Sequence, residues 1–183
     1  ILTRKKFCVW KNNQPMSREI INTILLFIGL ILLQVIILNN INFLGYINPI
    51  LYVLFVFFYP IKKLDFTFLF LSFLLGLCID FFLNSGGVNA AATLFMAYIR
   101  MPVIKGVLRR SELDYSSLIF RKLKFSKSVS ILSILILIHH FIVFQLEYFR
   151  LDSFFNIILK TILTGLFTLV LVLLSIVFFT KKK

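Results

Sequence analysis

The sequence predicts an all-α integral membrane protein of six transmembrane helices. Composition is the first reason. Hydrophobic residues make up 60% of the 183 positions and charged ones only 15%, with a mean hydropathy of +1.00. A soluble domain is nearer 45–50% apolar and about a quarter charged. The second reason is that the apolar residues fall in long unbroken runs separated by short polar segments. Six spans of roughly 20 residues need about 120 mostly apolar positions, and this chain supplies about 110. Only short connections are left over, which excludes a soluble enzyme and a large extramembrane domain. The third reason is the placement of the basic residues, taken up below.

The spans follow in chain order. The first, about 20–38, is broken only by Asn22, Thr23, Gly29 and Gln34. An uncharged stretch from Asn39 to Pro49 supplies turn residues. The second apolar run, 50–61, rises only about 18 Å as a helix. It either recruits part of 41–47 or forms a short or broken helix packed against its neighbours. The third span is 64–83, closed by the turn Asn84-Ser-Gly-Gly87, and the fourth is 88–104. The fifth runs over 128–148 and the sixth over 153–179. Residues 1–15 lack the apolar core of a signal peptide. They are expected to be an extension ahead of a natural start at Met16, leaving 16–183 as a single six-helix domain.

A net charge of +13 would ordinarily raise nucleic-acid binding, but there is too little water-soluble chain to build a basic surface. Mapped onto the spans, eighteen of the twenty Lys and Arg residues lie on one side. They precede span one, join spans two and three (Lys62, Lys63), fill the loop after span four, and follow span six. The opposite side keeps Arg150, with Lys160 near the start of the last span. Cytoplasmic loops carry this excess, so both termini are expected in the cytoplasm, and no nucleic-acid partner is expected. Arg100, Lys105, Arg109 and Arg110 read as lipid-facing topology signals. In particular, Arg100-Met-Pro102 reads as an interface anchor followed by a helix break. The stretch from Lys105 to Lys127 is basic and interleaved with Leu, Ile and Phe, as suits an amphipathic piece on anionic lipid.

Asp80 is the sharpest candidate for chemistry. It sits in Gly76-Leu-Cys-Ile-Asp80, three or four residues from the outer end of span three. An intramembrane carboxylate costs about 2.5–3.5 kcal/mol on insertion scales, so it turns inward to a partner. Gly76 and Asn84 lie four residues to either side and share its helix face. Asp80 is then a packing or recognition group or a proton or ligand site; the plainer reading is a helix–helix tie or a carboxylate hydrated at the interface. His139 and His140 lie near the middle of span five, with Glu147 on the face of His140. Adjacent histidines cannot chelate one metal as an i, i+4 pair does. Neutral imidazoles bonding between helices fit best, with a proton relay from His140 through Asp80 as the functional alternative. Small residues in Val88-Asn-Ala-Ala-Ala-Thr93 and Ala97, and in Thr161, Gly165 and Thr168, are close-packing signals. Cys8 and Cys78 form no framework, and no metal or nucleotide motif is present, so no cofactor is expected.

Several ordered stretches carry a family resemblance. They are Leu33-Gln-Val-Ile-Ile-Leu-Asn-Asn-Ile, Gly45-Tyr-Ile-Asn-Pro49, Gly76-Leu-Cys-Ile-Asp80, Ser85-Gly-Gly-Val-Asn-Ala-Ala-Ala-Thr93, Ala97-Tyr-Ile-Arg100, Ile138-His-His-Phe141 and Leu146-Glu147. In this order, from Met16 to Phe179, the chain resembles the MreD family of rod shape-determining proteins, especially its Bacteroidota-like members. The resemblance implies a non-enzymatic inner-membrane subunit of the cell-elongation machinery. Such a subunit associates with MreC and works with RodA, the class B penicillin-binding transpeptidase and MreB in building lateral peptidoglycan. It also implies a fold similar to the substrate-binding subunits of energy-coupling-factor transporters. Asp80, Asn84, Asn89 and His140 are then the expected polar core beneath the partner surface, with Glu147 beside them. The rival is a transporter subunit that binds a vitamin-like small molecule near the outer surface through Asp80, Glu147 and residues 39–48.

Overall fold

The computed structural model describes residues 16–40, 48–59, 66–108, 125–148 and 154–180. The expected extension 1–15, Cys8, Arg109, Arg110 and most of the basic loop lie outside the described residues. Within them all regular secondary structure is helical, with no strand. Helix α1 (Met16–Leu32) continues through a π-helical turn (Leu33–Ile37) and a 3-10 turn (Leu38–Asn40). It is followed by α2 (Leu54–Phe58), α3 (Phe66–Leu83), α4 (Val88–Leu108), α5 (Phe125–Tyr148) and α6 (Phe154–Thr180). Five of these helices are long and apolar enough to cross a membrane, the pattern of a multi-pass membrane protein. Their large exposed side chains are apolar, for example Leu25, Phe70, Phe81 and Leu166.

The expected second span takes the second of its two expected forms, a short helix packed against its neighbours. Of its described residues, 50–59, only the five of α2 are α-helical, too short a rise to cross hydrocarbon as a helix. The segment is instead enclosed by the others: Tyr52, Val53, Phe55 and Val56 are all within 1% of complete burial. Its path follows α4. At one level the Tyr52 hydroxyl meets Asn89, and further along Val56 and Tyr59 meet Arg100. Those α4 residues are about 16 Å apart along the helix axis.

Helices α3, α4, α5 and α6 pack in sequence as antiparallel neighbours. At the α3–α4 crossing, Gly76 faces the backbone of the next helix. A Cβ there would lie 2.6 Å from both the Ala90 Cα and the Asn89 carbonyl oxygen. Ala90 thus meets α3 directly, and Thr93 and Ala97 further along α4 are also buried, as small residues often are between membrane helices. At the α5–α6 crossing, a Cβ on Gly165 would lie 2.9 Å from Leu137 Cδ2.

Helix α4 does not break after Arg100 but runs through Pro102 to Leu108. Arg100, Ile104 and Leu108 are all buried, and their four-residue spacing holds the last turns against the bundle. Pro102 is on the exposed side, where the carbonyl it frees need not face the apolar core. Lys105 is exposed in the last turn, as expected of a basic residue at that end.

Candidate functional site: a buried polar network beneath a cavity

The turn between α3 and α4 positions the first component. Asn84, Gly86 and Gly87 have φ of 54°, 65° and 96°, left-handed values that Gly and Asn adopt most readily. The turn brings the start of α4 onto the end of α3. The Asp80 carboxylate then accepts the backbone N–H of Asn89 at 2.9 Å, the N–H of Ala90 at 2.7 Å and the Asn89 side-chain amide at 2.9 Å. The Ser85 hydroxyl donates to the same carboxylate. A helix start leaves four N–H groups without intrahelical partners and carries partial positive charge. In hydrocarbon each unsatisfied group costs several kcal/mol. Asp80 is therefore an interhelical cap, the helix–helix tie of the plainer reading, with both oxygens occupied.

From Asp80 the network crosses the bundle. The Asn89 Oδ1 accepts from the Tyr52 hydroxyl at 2.7 Å, and that hydroxyl oxygen lies 3.3 Å from His139 Nε2. Because Tyr52 donates to Asn89, His139 donates through Nε2, the assignment following from the partners. His140 takes the opposite tautomer: its Nδ1 donates to the Ile136 carbonyl at 2.9 Å. Its Nε2 accepts from the Thr168 hydroxyl at 3.2 Å, and Thr168 Oγ1 accepts the Ile50 N–H at 3.3 Å. Both imidazoles are fully buried. The connection to Asp80 therefore runs through His139 and Tyr52, whereas His140 sits on a separate branch anchored to α6. This removes the direct basis for a relay from His140.

Three polar side chains serve the backbone of 48–59. The Gln34 amide donates to the Pro49 carbonyl at 3.0 Å and accepts the Leu51 N–H at 2.8 Å, pairing as a second peptide group would. Thr168 takes the intervening Ile50 N–H. At the far end, Arg100 donates to the Val56 carbonyl at 2.6 Å and the Tyr59 carbonyl at 2.8 Å, with its guanidinium 4.7 Å from the Phe68 ring centroid. Arg100 is only 2% exposed, so it is an internal support rather than the lipid-facing anchor expected of it. The physical reason is the set of carbonyls that a short buried helix leaves open.

Above the network lies a cavity of about 610 Å³. Buried Gln34, Tyr52 and Asn89 line its depth, and Asn39, Asn48, Asn84, Ser85, Glu147 and Lys160 line its polar walls. Val88, Val143, Phe144 and Leu146 contribute apolar surface. The structure thus joins Asp80 and Asn89 directly but separates the other candidates. Asn84 is exposed because the left-handed turn ends the helix there and rotates it off the Asp80 face. Glu147 is also exposed and belongs to the cavity wall, not the network.

Sequence reasoning missed Gln34, Tyr52 and Arg100 as members of one site. A signal existed for two of them. A carboxamide and a guanidinium inside apolar runs, in a chain with one run too short to span, are what a non-helical buried segment requires. Among the described residues, no group of three His, Cys, Asp or Glu could hold a metal ion. Compared with protein-family models, with curated proteins and with solved structures, the chain shows no match.

Proposed function

We propose that the chain is a non-enzymatic subunit of the bacterial cell-elongation complex, resident in the inner membrane. In this reading it binds MreC and helps position lateral peptidoglycan synthesis with RodA, the class B penicillin-binding transpeptidase and MreB. One observation supports it above others. The stretches that resemble the MreD family supply most of the buried polar contacts inside the bundle: Gln34, Pro49, Asp80 with Gly76, Ser85 with Asn89, Arg100, and His139 with His140. Segments whose order resembles a family, and whose buried polar side chains hold the interior of one bundle, are what a shared fold requires.

The topology belongs to the same proposal. Residues 48–59 pass alongside α4 from the level of Asn89 toward that of Arg100, which favours counting them as a second, short and enclosed crossing. Six crossings then put both termini on one side, and the basic residues make that side cytoplasmic. The test is purification of the tagged chain from its native membranes in mild detergent. MreC from the same organism is expected to co-purify, and depletion is expected to alter cell width. Absence of MreC from the purified sample together with unchanged cell width on depletion would overturn the reading.

The cavity favours a second reading, a subunit that binds a vitamin-like small molecule. Its volume falls in the usual range for ligand sites, and Asn39, Asn48 and Glu147 line it as that reading requires. Asp80 does not, since Ser85 and Asn89 stand between. A vitamin that co-purifies, or that raises the unfolding temperature, would promote this reading over the first.

A further inference from the structure

The cavity carries its charge on one wall. Glu147 and Lys160 both line it from the α5–α6 side. The Lys160 ammonium donates to the Tyr148 hydroxyl at 3.0 Å and lies 4.8 Å and 5.0 Å from the Phe144 and Tyr148 ring centroids. Those contacts fix its position without neutralising it. Among the described residues neither Lys160 nor Glu147 has an ion-pair partner, and they do not pair with each other. The facing wall is uncharged, built from the carboxamides of Asn39, Asn48 and Asn84. A cavity wall that presents one cation and one anion, at the edge of a low-dielectric region, favours a ligand that supplies the complementary pair.

We infer that this cavity binds a zwitterion whose anionic phosphate or carboxylate faces Lys160 and whose ammonium faces Glu147. Neutral hydroxyl or ester oxygens of the same molecule meet the Asn39, Asn48 and Asn84 wall. Two sources share this chemistry: the headgroup of an aminophospholipid in the adjoining leaflet, and a soluble small zwitterion. The site is independent of the MreC reading, since it uses none of the network residues as ligands.

The test uses the full chain in nanodiscs of mixed phosphatidylethanolamine and phosphatidylglycerol, followed by native mass spectrometry. In parallel, glycerophosphoethanolamine is titrated against unfolding temperature in detergent. Wild type is expected to retain phosphatidylethanolamine over phosphatidylglycerol, or to be stabilised by the soluble probe. The first result identifies the lipid as source and the second the small molecule. Lys160→Gln and Glu147→Gln are each expected to weaken binding about tenfold, as loss of one charged hydrogen bond does. Lys105→Gln, on the far end of α4, is expected to leave binding unchanged. Should either glutamine variant unfold, the double variant Glu147→Lys with Lys160→Glu keeps the charge balance and is expected to bind with the polarity reversed. Equal retention of both lipids together with no stabilisation by the soluble probe, or glutamine variants that bind like wild type, would overturn the inference. MreC retention, measured on the same preparations, separates that outcome from failure of the elongation reading.

Discussion

Helices α3 to α6 close their backbone hydrogen bonds within themselves, whereas residues 48–59 lie inside the same bundle with only five α-helical residues and rely on other elements. Gln34 from the π-helical turn after α1, Thr168 from α6 and Arg100 from α4 take up the Pro49 carbonyl, the Ile50 and Leu51 N–H groups, and the Val56 and Tyr59 carbonyls. The difference explains why an apolar chain buries so many polar side chains. In hydrocarbon, non-helical backbone is tolerated only where protein satisfies it. The α3–α4 hairpin shows the contrasting solution, in which one carboxylate caps a helix start and a glycine lets two backbones touch.

Substitutions distinguish the two solutions, beginning with the largest effect. Arg100→Met leaves two buried carbonyls without a donor and is expected to cost about 3 kcal/mol in reversible unfolding from mixed micelles. Arg100→Lys is expected to recover less than half of that, because one ammonium does not reproduce the two-pronged geometry. Gly76→Val attacks the hairpin instead. Its side chain would meet backbone atoms that cannot rotate away, at an expected cost of about 2–3 kcal/mol. Disulfide crosslinking between cysteines placed on α3 and α4 should slow as the helices separate.

Gln34→Leu removes the peptide-like pairing at Pro49 and Leu51, for about 2 kcal/mol. Faster hydrogen exchange is expected at the Leu51 amide with little change in α3 or α4. An unchanged Leu51 amide would show that the segment does not depend on α1. Tyr52→Phe unlinks His139 from Asn89 and is expected to cost about 1 kcal/mol, with the Asp80 cap intact. At the small end, Asn84→Gly is expected to be neutral or to stabilise by up to about 1 kcal/mol, while Asn84→Val costs about 1–2 kcal/mol, because φ there is 54°. Thermal unfolding of the pair reads the difference.

The contrast also sets what could be read in advance. Long apolar runs announced α1 and α3 to α6, since length and hydropathy are local properties of the chain. Small residues around Ala90 and Gly165 announced close crossings for the same reason. The inward turn of Asp80 was legible from the cost of an isolated carboxylate, but not its role as a cap, which depends on the turn at Asn84. Arg100 misled because a basic residue at the end of an apolar run has the same local signature whether it meets lipid headgroups or buried carbonyls. Only the position of residues 48–59 decides between them, and that position depends on tertiary packing. The rival reading named three of the cavity's polar lining residues, Asn39, Asn48 and Glu147, but wrongly added Asp80 and left out Lys160 and Asn84, because the cavity's walls come from five separate parts of the chain.

The claim that residues 48–59 are an enclosed backbone held by side chains of its neighbours is tested most directly by photolabelling from within the bilayer. A membrane-dissolved diazirine probe, read by peptide mass spectrometry on the protein in nanodiscs, should label Leu25, Ile28 and Leu32 of α1 and Phe70 and Phe81 of α3. It should spare Tyr52 to Phe57, and Arg100→Met should raise labelling there. Labelling of Tyr52 to Phe57 at the level of α1 in the unaltered protein would show a lipid-facing span and contradict the account.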